Sequence, residues 1–143
     1  MEIPTIPNNS LTEEIKEIVC LCEQLAPEYG EDASWFSPAA SEEEINEWEK
    51  DNKLTIPESY KEWLRFSGEA RILNTLARFY GPQKFRINLK DIPDNLVEIG
   101  DLLGDGQRLC FSKSTGNIIR YDHGDIREYD SLKPVLNQLL DTI

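Results

Sequence analysis

Hydrophobic residues recur at helical spacing near both ends of the chain. The first periodic run follows an irregular lead-in of ten residues and comprises Leu11, Ile15, Ile18, Cys22 and Leu25. This spacing predicts an amphipathic helix of about four turns, opened by a capping box at Ser10-x-x-Glu13 and ended near Pro27 and Gly30. A last helix, capped by Ser131, is predicted to turn six apolar residues inward: Leu132, Val135, Leu136, Leu139, Leu140 and Ile143.

Two shorter helices are predicted after the first one. Ser41-x-x-Glu44 forms a second capping box, and Ile45 and Trp48 are the only apolar residues of a short helix that is mostly exposed. Pro57 suits the first position of a third helix, and Gly68 suits its C-terminal cap. The apolar side of that third helix consists of Tyr60, Trp63, Leu64 and Phe66.

After Gly68 the hydrophobic period changes to that of short strands. The stretches with strand character are 70–74, 76–80, 85–88, 96–100, 107–112, 117–122 and 127–129. The clearest pair, 107–112 and 117–122, is joined by a tight loop ending at Gly116, which indicates a hairpin. The chain is therefore predicted to be an α+β protein. N-terminal helices precede a mainly antiparallel sheet of about five or six short strands, and a C-terminal helix closes the fold.

The length of 143 residues predicts a single domain, with residues 1–30 forming a lead-in and an extra helix before a core of residues 31–143. The N-terminus lacks the basic and apolar regions of a signal peptide, and no stretch is apolar enough for a membrane helix. Three cysteines at irregular spacing favour reduced thiols over a disulfide framework. We therefore expect a cytoplasmic protein that does not bind membranes.

The net charge of −12 is unevenly distributed along the sequence. Residues 1–52 hold 14 acidic and two basic side chains, whereas residues 53–143 hold 13 of each. Such a chain should repel nucleic acid and should favour a basic protein partner. Two interpretations of the acidic first third remain open. Its carboxylates either belong to ordinary solvated helix faces or form a surface that competes for a cationic groove on a partner.

Several short motifs occur in a characteristic order between residues 38 and 142. They are Ser41-Glu-Glu-Glu-Ile45-x-x-Trp48, Leu54-x-Ile56-Pro57-x-x-Tyr60-Lys61-x-Trp63-Leu64, Ser67-Gly68, Leu96–Asp101, the Gly104-Asp105 turn, Leu109–Phe111, Asn117–Tyr121 and His123. In this order they resemble the SUKH superfamily, which includes fungal cell-wall-assembly regulators and bacterial toxin-immunity proteins. Ile56 stands where that pattern usually has leucine. Residues 1–30 lie outside the resemblance.

The resemblance implies a binding protein without catalytic activity or cofactor, most often an immunity protein that neutralises a polymorphic toxin such as a nuclease. A regulatory scaffold that binds a cellular protein is the alternative. The partner of an immunity protein would be a cognate toxin with a basic surface. The expected contacts are the following residues, with Trp35 as the anchor unless it folds back over the core: Glu31, Asp32, Trp35, Glu42, Glu43, Glu47, Asp51, Asp101 and Asp105.

The candidate residues for enzymatic chemistry are few. The only histidine, His123, lies between Asp122 and Asp125, where a turn between strands is favoured over a cramped metal site. Gly104-Asp105-Gly106 lacks the lysine, the glycine spacing and the following helix of a phosphate loop, and predicts a turn. We therefore expect no catalytic residues, no metal and no cofactor.

Overall fold

The computed structural model describes all residues, 1–143, and contains four α-helices and seven β-strands. In chain order the elements are α1 (Thr12–Tyr29), β1 (Trp35–Phe36), α2 (Glu42–Asn52), α3 (Glu58–Leu64), β2 (Ala70–Ile72), β3 (Ala77–Phe79), a 3-10 helix (Pro82–Lys84), β4 (Leu96–Leu102), β5 (Gln107–Ser112), β6 (Ile118–Asp122), β7 (Asp125–Tyr129) and α4 (Lys133–Thr142). This order confirms the predicted α+β class.

The seven strands form one antiparallel sheet in which each strand pairs with its neighbours in sequence, from β1 to β7. The prediction of five or six strands was therefore too low. The hydrophobic pattern of the sequence did not predict β1, which has only two residues. Conversely, the predicted strand at 85–88 is not formed, and this segment makes a single bridge from Arg86 to Glu98 after the 3-10 helix.

All four helices cover one face of the sheet. Val97, Ile99, Leu109, Phe111 and Ile118 point toward them and belong to a core of 28 buried residues that includes residues from every helix. Successive strand residues alternate between faces, so a smaller cluster forms on the opposite face. That cluster, which the 88–95 loop covers, consists of Ile92, Leu96, Cys110 and Ile119.

Hydrogen bonds and close backbone contacts fix the third helix against the sheet. The buried hydroxyl of Tyr60 lies 2.6 Å from the carbonyl oxygen of Tyr80 and 3.1 Å from that of Ile99. Next to this contact, a Cβ atom at Gly100 would lie 2.3 Å from the carbonyl oxygen of Arg78. Only glycine permits this approach of β4 to β3.

The helix ends correct several expectations. Ser41 and Glu44 form the predicted capping box, but Ser10 does not cap α1, because its hydroxyl is directed to Glu62 across the fold. Ser131 does not cap α4 either, and the free N–H of Leu132 is instead donated to Ser59.

Three further details differ from the sequence prediction. Pro27 lies inside α1, which continues to Tyr29. Proline lacks its own N–H but leaves the later N–H groups free to bond, and Gly30 donates to the carbonyl of Ala26 at 2.9 Å. Gly68 does not cap α3, which ends at Leu64, and its N–H is donated to the carbonyl of Pro38 at 2.8 Å. Ile143 does not pack inward but remains 38% exposed.

Candidate protein-binding surfaces

The predicted contact residues occupy three separate surfaces. The first is the outer side of α2, where Glu43, Glu47 and Asp51 recur every four residues and so share one face. All three are exposed and none forms an ion pair within the chain. Because the capping box fixes the start of α2, these carboxylates have a rigid support.

Glu42 lies on the same helix but is already engaged. Its two carboxylate oxygens accept hydrogen bonds from Arg65 at 3.2 and 3.0 Å, and Arg65 also bonds Glu58 at 2.9 Å. The hydrogen bond from Arg65 lowers the pKa of Glu42. A partner would therefore have to compete with Arg65 for this carboxylate.

The second surface lies at one end of the sheet, and we call it the acidic pole. It consists of five segments that meet there, namely residues 28–32, 73–76, 103–106, 122–125 and 139–143. One backbone hydrogen bond runs from Leu103 to Leu76 at 2.9 Å, and another runs from Asn74 to Ala33, the residue after the first segment, at 2.7 Å. The five segments contain seven carboxylates and no lysine or arginine: Glu28, Glu31, Asp32, Asp105, Asp122, Asp125 and Asp141.

The third surface is the face of the sheet that the helices leave uncovered. One residue from each strand stands directly opposite its neighbour, so that a single row crosses all seven strands. The row consists of Trp35, Arg71, Arg78, Asp101, Arg108, Tyr121 and Ile126. Two of the predicted contacts, Trp35 on β1 and Asp101 on β4, therefore share this face, apart from the α2 carboxylates.

Most polar groups in this row already have partners in the chain. Trp35 is half-buried, with the guanidinium of Arg71 5.9 Å from its ring centroid, so it neither projects freely nor enters the core. Asp101 accepts a hydrogen bond from Tyr80 at 2.9 Å. Burial, and then this hydrogen bond, raise the pKa of Tyr80.

A buried carboxylate lies near the centre of the uncovered face. Glu98 accepts a hydrogen bond from Arg108 at 2.6 Å, and its side chain is only 3% exposed. Burial raises the pKa of Glu98, although the charges of Arg108 and Arg86 oppose this shift. The arginines of this face were not predicted as site residues, because only the strand register shows that they share one row.

Charge follows the two layers of the fold. The four helices carry 14 acidic and four basic side chains, whereas the seven strands carry five acidic and five basic ones, all of the latter arginine. The outer helical layer therefore accounts for most of the negative charge. On the sheet the charges are of mixed sign, and Glu98 and Arg108 form an ion pair between neighbouring strands.

The α2 surface and the acidic pole lie at opposite ends of the sheet. Glu44 of α2 accepts a hydrogen bond from Gln83, and the ring of Trp48 packs 5.2 Å from that of Phe85. Both partners belong to the segment after β3, whereas the pole contains the turns before β3 and after β4. The fold therefore divides the predicted acidic contacts, apart from Asp101 on the sheet face, between two distant surfaces.

The residues considered for other chemistry have structural roles. His123 and Gly124 are the two central residues of the β6–β7 turn, and both have positive φ angles. The imidazole Nδ1 lies 2.7 Å from the carboxylate of Asp122, and no cluster of three His, Cys, Asp or Glu side chains is arranged to hold a metal ion. All three cysteines are free, and burial raises the pKa of the Cys110 thiol to about 12.

The chain belongs to the SMI1 / KNR4 family (SUKH-1), whose family model matches residues 39–142. A search of curated proteins found no match. Family membership fits a protein-binding role in immunity or regulation. None of the helices combines the length and the apolar character that crossing a membrane requires.

Proposed function

We propose that this protein is an immunity protein that binds a cognate toxin and blocks the toxin's basic active site without catalysing a reaction. Membership of the SMI1 / KNR4 family supports a binding role. The observation that carries the proposal is the outer side of α2, where Glu43, Glu47 and Asp51 are exposed and lack internal partners. Unpaired carboxylates on a rigid helix are available to bind cations.

A nuclease toxin is the favoured target because its substrate-binding groove must be cationic to hold phosphates. Carboxylates that enter such a groove would occupy the positions of those phosphates and exclude the substrate. Complementary charge would also accelerate association, which can reach about 10⁸–10⁹ M⁻¹ s⁻¹ at low salt. Inhibition of this kind requires only stoichiometric binding.

The proposed contacts are those named from the sequence: Glu31, Asp32, Trp35, Glu42, Glu43, Glu47, Asp51, Asp101 and Asp105. Because these residues lie on three surfaces, we expect unequal contributions. Residues without internal partners should contribute most, since Glu42 and Asp101 would first have to leave Arg65 and Tyr80.

The test is to co-express this protein with the toxin candidate encoded by the neighbouring gene and to measure both cell survival and binding. We expect protection, a 1:1 complex, and an affinity that falls steeply as salt rises. The triple variant Glu43→Gln, Glu47→Gln, Asp51→Asn should weaken binding by roughly tenfold or more.

The matched control removes three charges from the other acidic helix, as Glu13→Gln, Glu17→Gln, Glu23→Gln. This control should bind the toxin like the parent protein. Equal weakening by both triple variants would indicate a general charge effect and would reject the α2 contact. An affinity that does not respond to salt would reject electrostatic binding altogether.

A regulatory scaffold is the second candidate function, because the same family membership supports it. It predicts a cellular partner and no toxin gene beside this one. If co-expression protects cells from no toxin while an isolated cellular partner binds the same α2 carboxylates, the regulatory function replaces immunity.

A further inference from the structure

A pocket of about 250 Å³, lined mainly by hydrophobic residues, opens at the acidic pole. The C-terminal ends of α1 and α4 meet the β2–β3 and β4–β5 turns around it. Its lining residues are Tyr29, Leu73, Thr75, Leu76, Leu103, Thr142 and Ile143. Tyr29 and Ile143 are two of the four large hydrophobic residues that the whole chain leaves exposed. Apolar surface is therefore concentrated at this end of the molecule.

The turns that form the pocket are held in place by the rest of the fold. The N–H of Leu73 is donated to the hydroxyl of Ser34 at 2.8 Å, and the N–H of Leu103 to the carbonyl of Leu76 at 2.9 Å. Leu73 and Leu103 have φ angles of 46° and 63°, which leucine rarely adopts and which the surrounding contacts must maintain. The pocket is thus preformed, so little ordering would accompany binding.

The charge around the pocket has one sign. None of the seven carboxylates of the acidic pole lines the pocket, but Glu28, Asp105 and Asp141 lie within two residues of Tyr29, Leu103 and Thr142, which do. No lysine or arginine occurs in the same segments. Both helices also direct their C-terminal ends to the pole, and neither has a basic residue in its last turn. The partial negative charge of these helix ends adds to that of the carboxylates.

We propose that this pocket receives an apolar side chain from a partner polypeptide segment in which lysine or arginine residues flank that side chain. The flanking cations would meet the carboxylates of the pole, and the apolar side chain would cover Tyr29 and Ile143. A second copy of this chain is a poor occupant, since its charge of −12 would be repelled. This proposal depends on the proposed function in one respect, because it assumes that the partner segment belongs to the toxin.

Short capped peptides test the pocket directly by amide chemical-shift mapping on the full-length protein. The probe Lys-Lys-Leu-Lys-Lys should shift the amides of residues 28–32, 73–76 and 103–106. The peptide Lys-Lys-Ser-Lys-Lys, with equal charge but no apolar anchor, should bind about tenfold more weakly. The peptide Glu-Glu-Leu-Glu-Glu should not bind. Equal binding of the leucine and serine peptides, or shifts confined to α2, would overturn the proposal.

Paired variants separate the pocket from general effects. Ile143→Ser should weaken binding of the leucine peptide several-fold, whereas Ile126→Ser makes the same change at an exposed site on β7 and should have no effect. Glu31→Lys, Asp32→Lys should abolish binding. Glu13→Lys, Glu17→Lys alters the charge equally near the start of α1, away from the acidic pole, and should leave binding intact. If a pocket variant and its control lost the same affinity for the leucine peptide, in either pair, the pocket proposal would be rejected.

The two proposals fail in different ways. If a toxin binds but Ile143→Ser and the Glu31, Asp32 variant leave its affinity unchanged, the pocket assignment is wrong while the immunity function stands. If the peptides bind at the pole but no toxin is neutralised, the pocket stands and the immunity function is wrong.

Discussion

At the scale of single residues, His123 shows how backbone geometry determines a position that resembles a chemical site. His123 and Gly124 have φ angles of 50° and 105°, and positive φ at both central residues is typical of a type I′ turn, in which Asn-Gly is the favoured pair. The substitution His123→Asn should therefore stabilise the protein, by about 0.5 kcal/mol. Urea unfolding of both proteins measures this difference. A loss of stability would show that the imidazole contact with Asp122 outweighs the turn preference.

A second residue-scale prediction concerns Glu98 and pH. Because burial raises its pKa in the folded protein, the native state binds this proton more tightly than the unfolded chain does. Protonation of Glu98 therefore adds to the free energy of unfolding. This contribution is fully present below the ordinary glutamate pKa, of about 4.3, and is lost as pH rises through the raised pKa. Glu98→Gln removes this loss, so the variant should gain stability relative to the parent as pH rises.

Urea unfolding at several pH values between about 4 and 7 tests this expectation. Glu42 and Asp91 have lowered pKa values and contribute the opposite slope, but they are present in both proteins. Glu47→Gln, the same change on the exposed side of α2, is measured in parallel as the control for replacing a glutamate outside the buried site. If the stability difference between Glu98→Gln and the parent is constant with pH, the raised pKa is wrong.

The sequence identified charged residues but not their pairing. Glu42 and Asp101 have the chemistry expected of contacts, yet Arg65 and Tyr80, which are distant in sequence, bind them. Pairing depends on tertiary distances of a few ångströms, which a one-dimensional pattern does not contain. The turn at His123 could be predicted, because turn preferences depend on adjacent residues alone.

At the scale of elements, the start of α2 is stabilised by its capping box. The hydroxyl of Ser41 accepts the N–H of Glu44 at 3.1 Å, and the Glu44 carboxylate accepts the N–H of Ser41 at 3.3 Å. Ser41→Ala should lower the free energy of unfolding by about 1 kcal/mol. Ser131→Ala makes the same change before α4, where no serine cap exists, and should have a much smaller effect. If chemical denaturation showed the same loss of unfolding free energy for both variants, the capping role of Ser41 would be contradicted.

Helices and hairpins were predicted better than helix caps and isolated strands. The periodicity of α1 extends over several turns, and that of β5 and β6 is reinforced by the intervening turn, so local signals suffice. In contrast, Ser10-x-x-Glu13 matches the capping pattern, yet Ser10 bonds Glu62 instead. β1 has two residues, too few to show a period, and exists only because β2 pairs with it.

At the scale of the whole molecule, folding rearranges the charge that the sequence displays. Counted along the chain, all of the net charge lies in residues 1–52. In space, all of those carboxylates except Glu2 are divided between the helical layer and the acidic pole, where Asp105, Asp122, Asp125 and Asp141 join them from the rest of the chain. The sequence predicted a basic partner class, but only the fold separates the α2 surface from the pole.

The whole-molecule prediction concerns α1, which lies outside the residues 39–142 matched by the family. Leu11, Ile15, Ile18 and Cys22 are nevertheless buried in the same core as β5 and α4. We therefore predict that α1 unfolds together with the rest of the chain. Ile15→Ala should cost about 2–5 kcal/mol, whereas the exposed neighbour substitution Glu17→Ala should cost less than about 0.5 kcal/mol.

Native-state hydrogen exchange provides the decisive measurement for this prediction. The most protected amides of α1 and β5 should exchange with the same free energy of opening, and Ile15→Ala should lower both by the same amount. If α1 opened at much lower free energy while β5 kept its protection, the first helix would be a separate appendage on an independently stable family domain. If α1 and β5 open with the same free energy, and Ile15→Ala lowers both values equally, the two elements belong to one cooperative unit. A substitution in α1 can destabilise the distant strand β5 by the same amount only when both unfold in the same step.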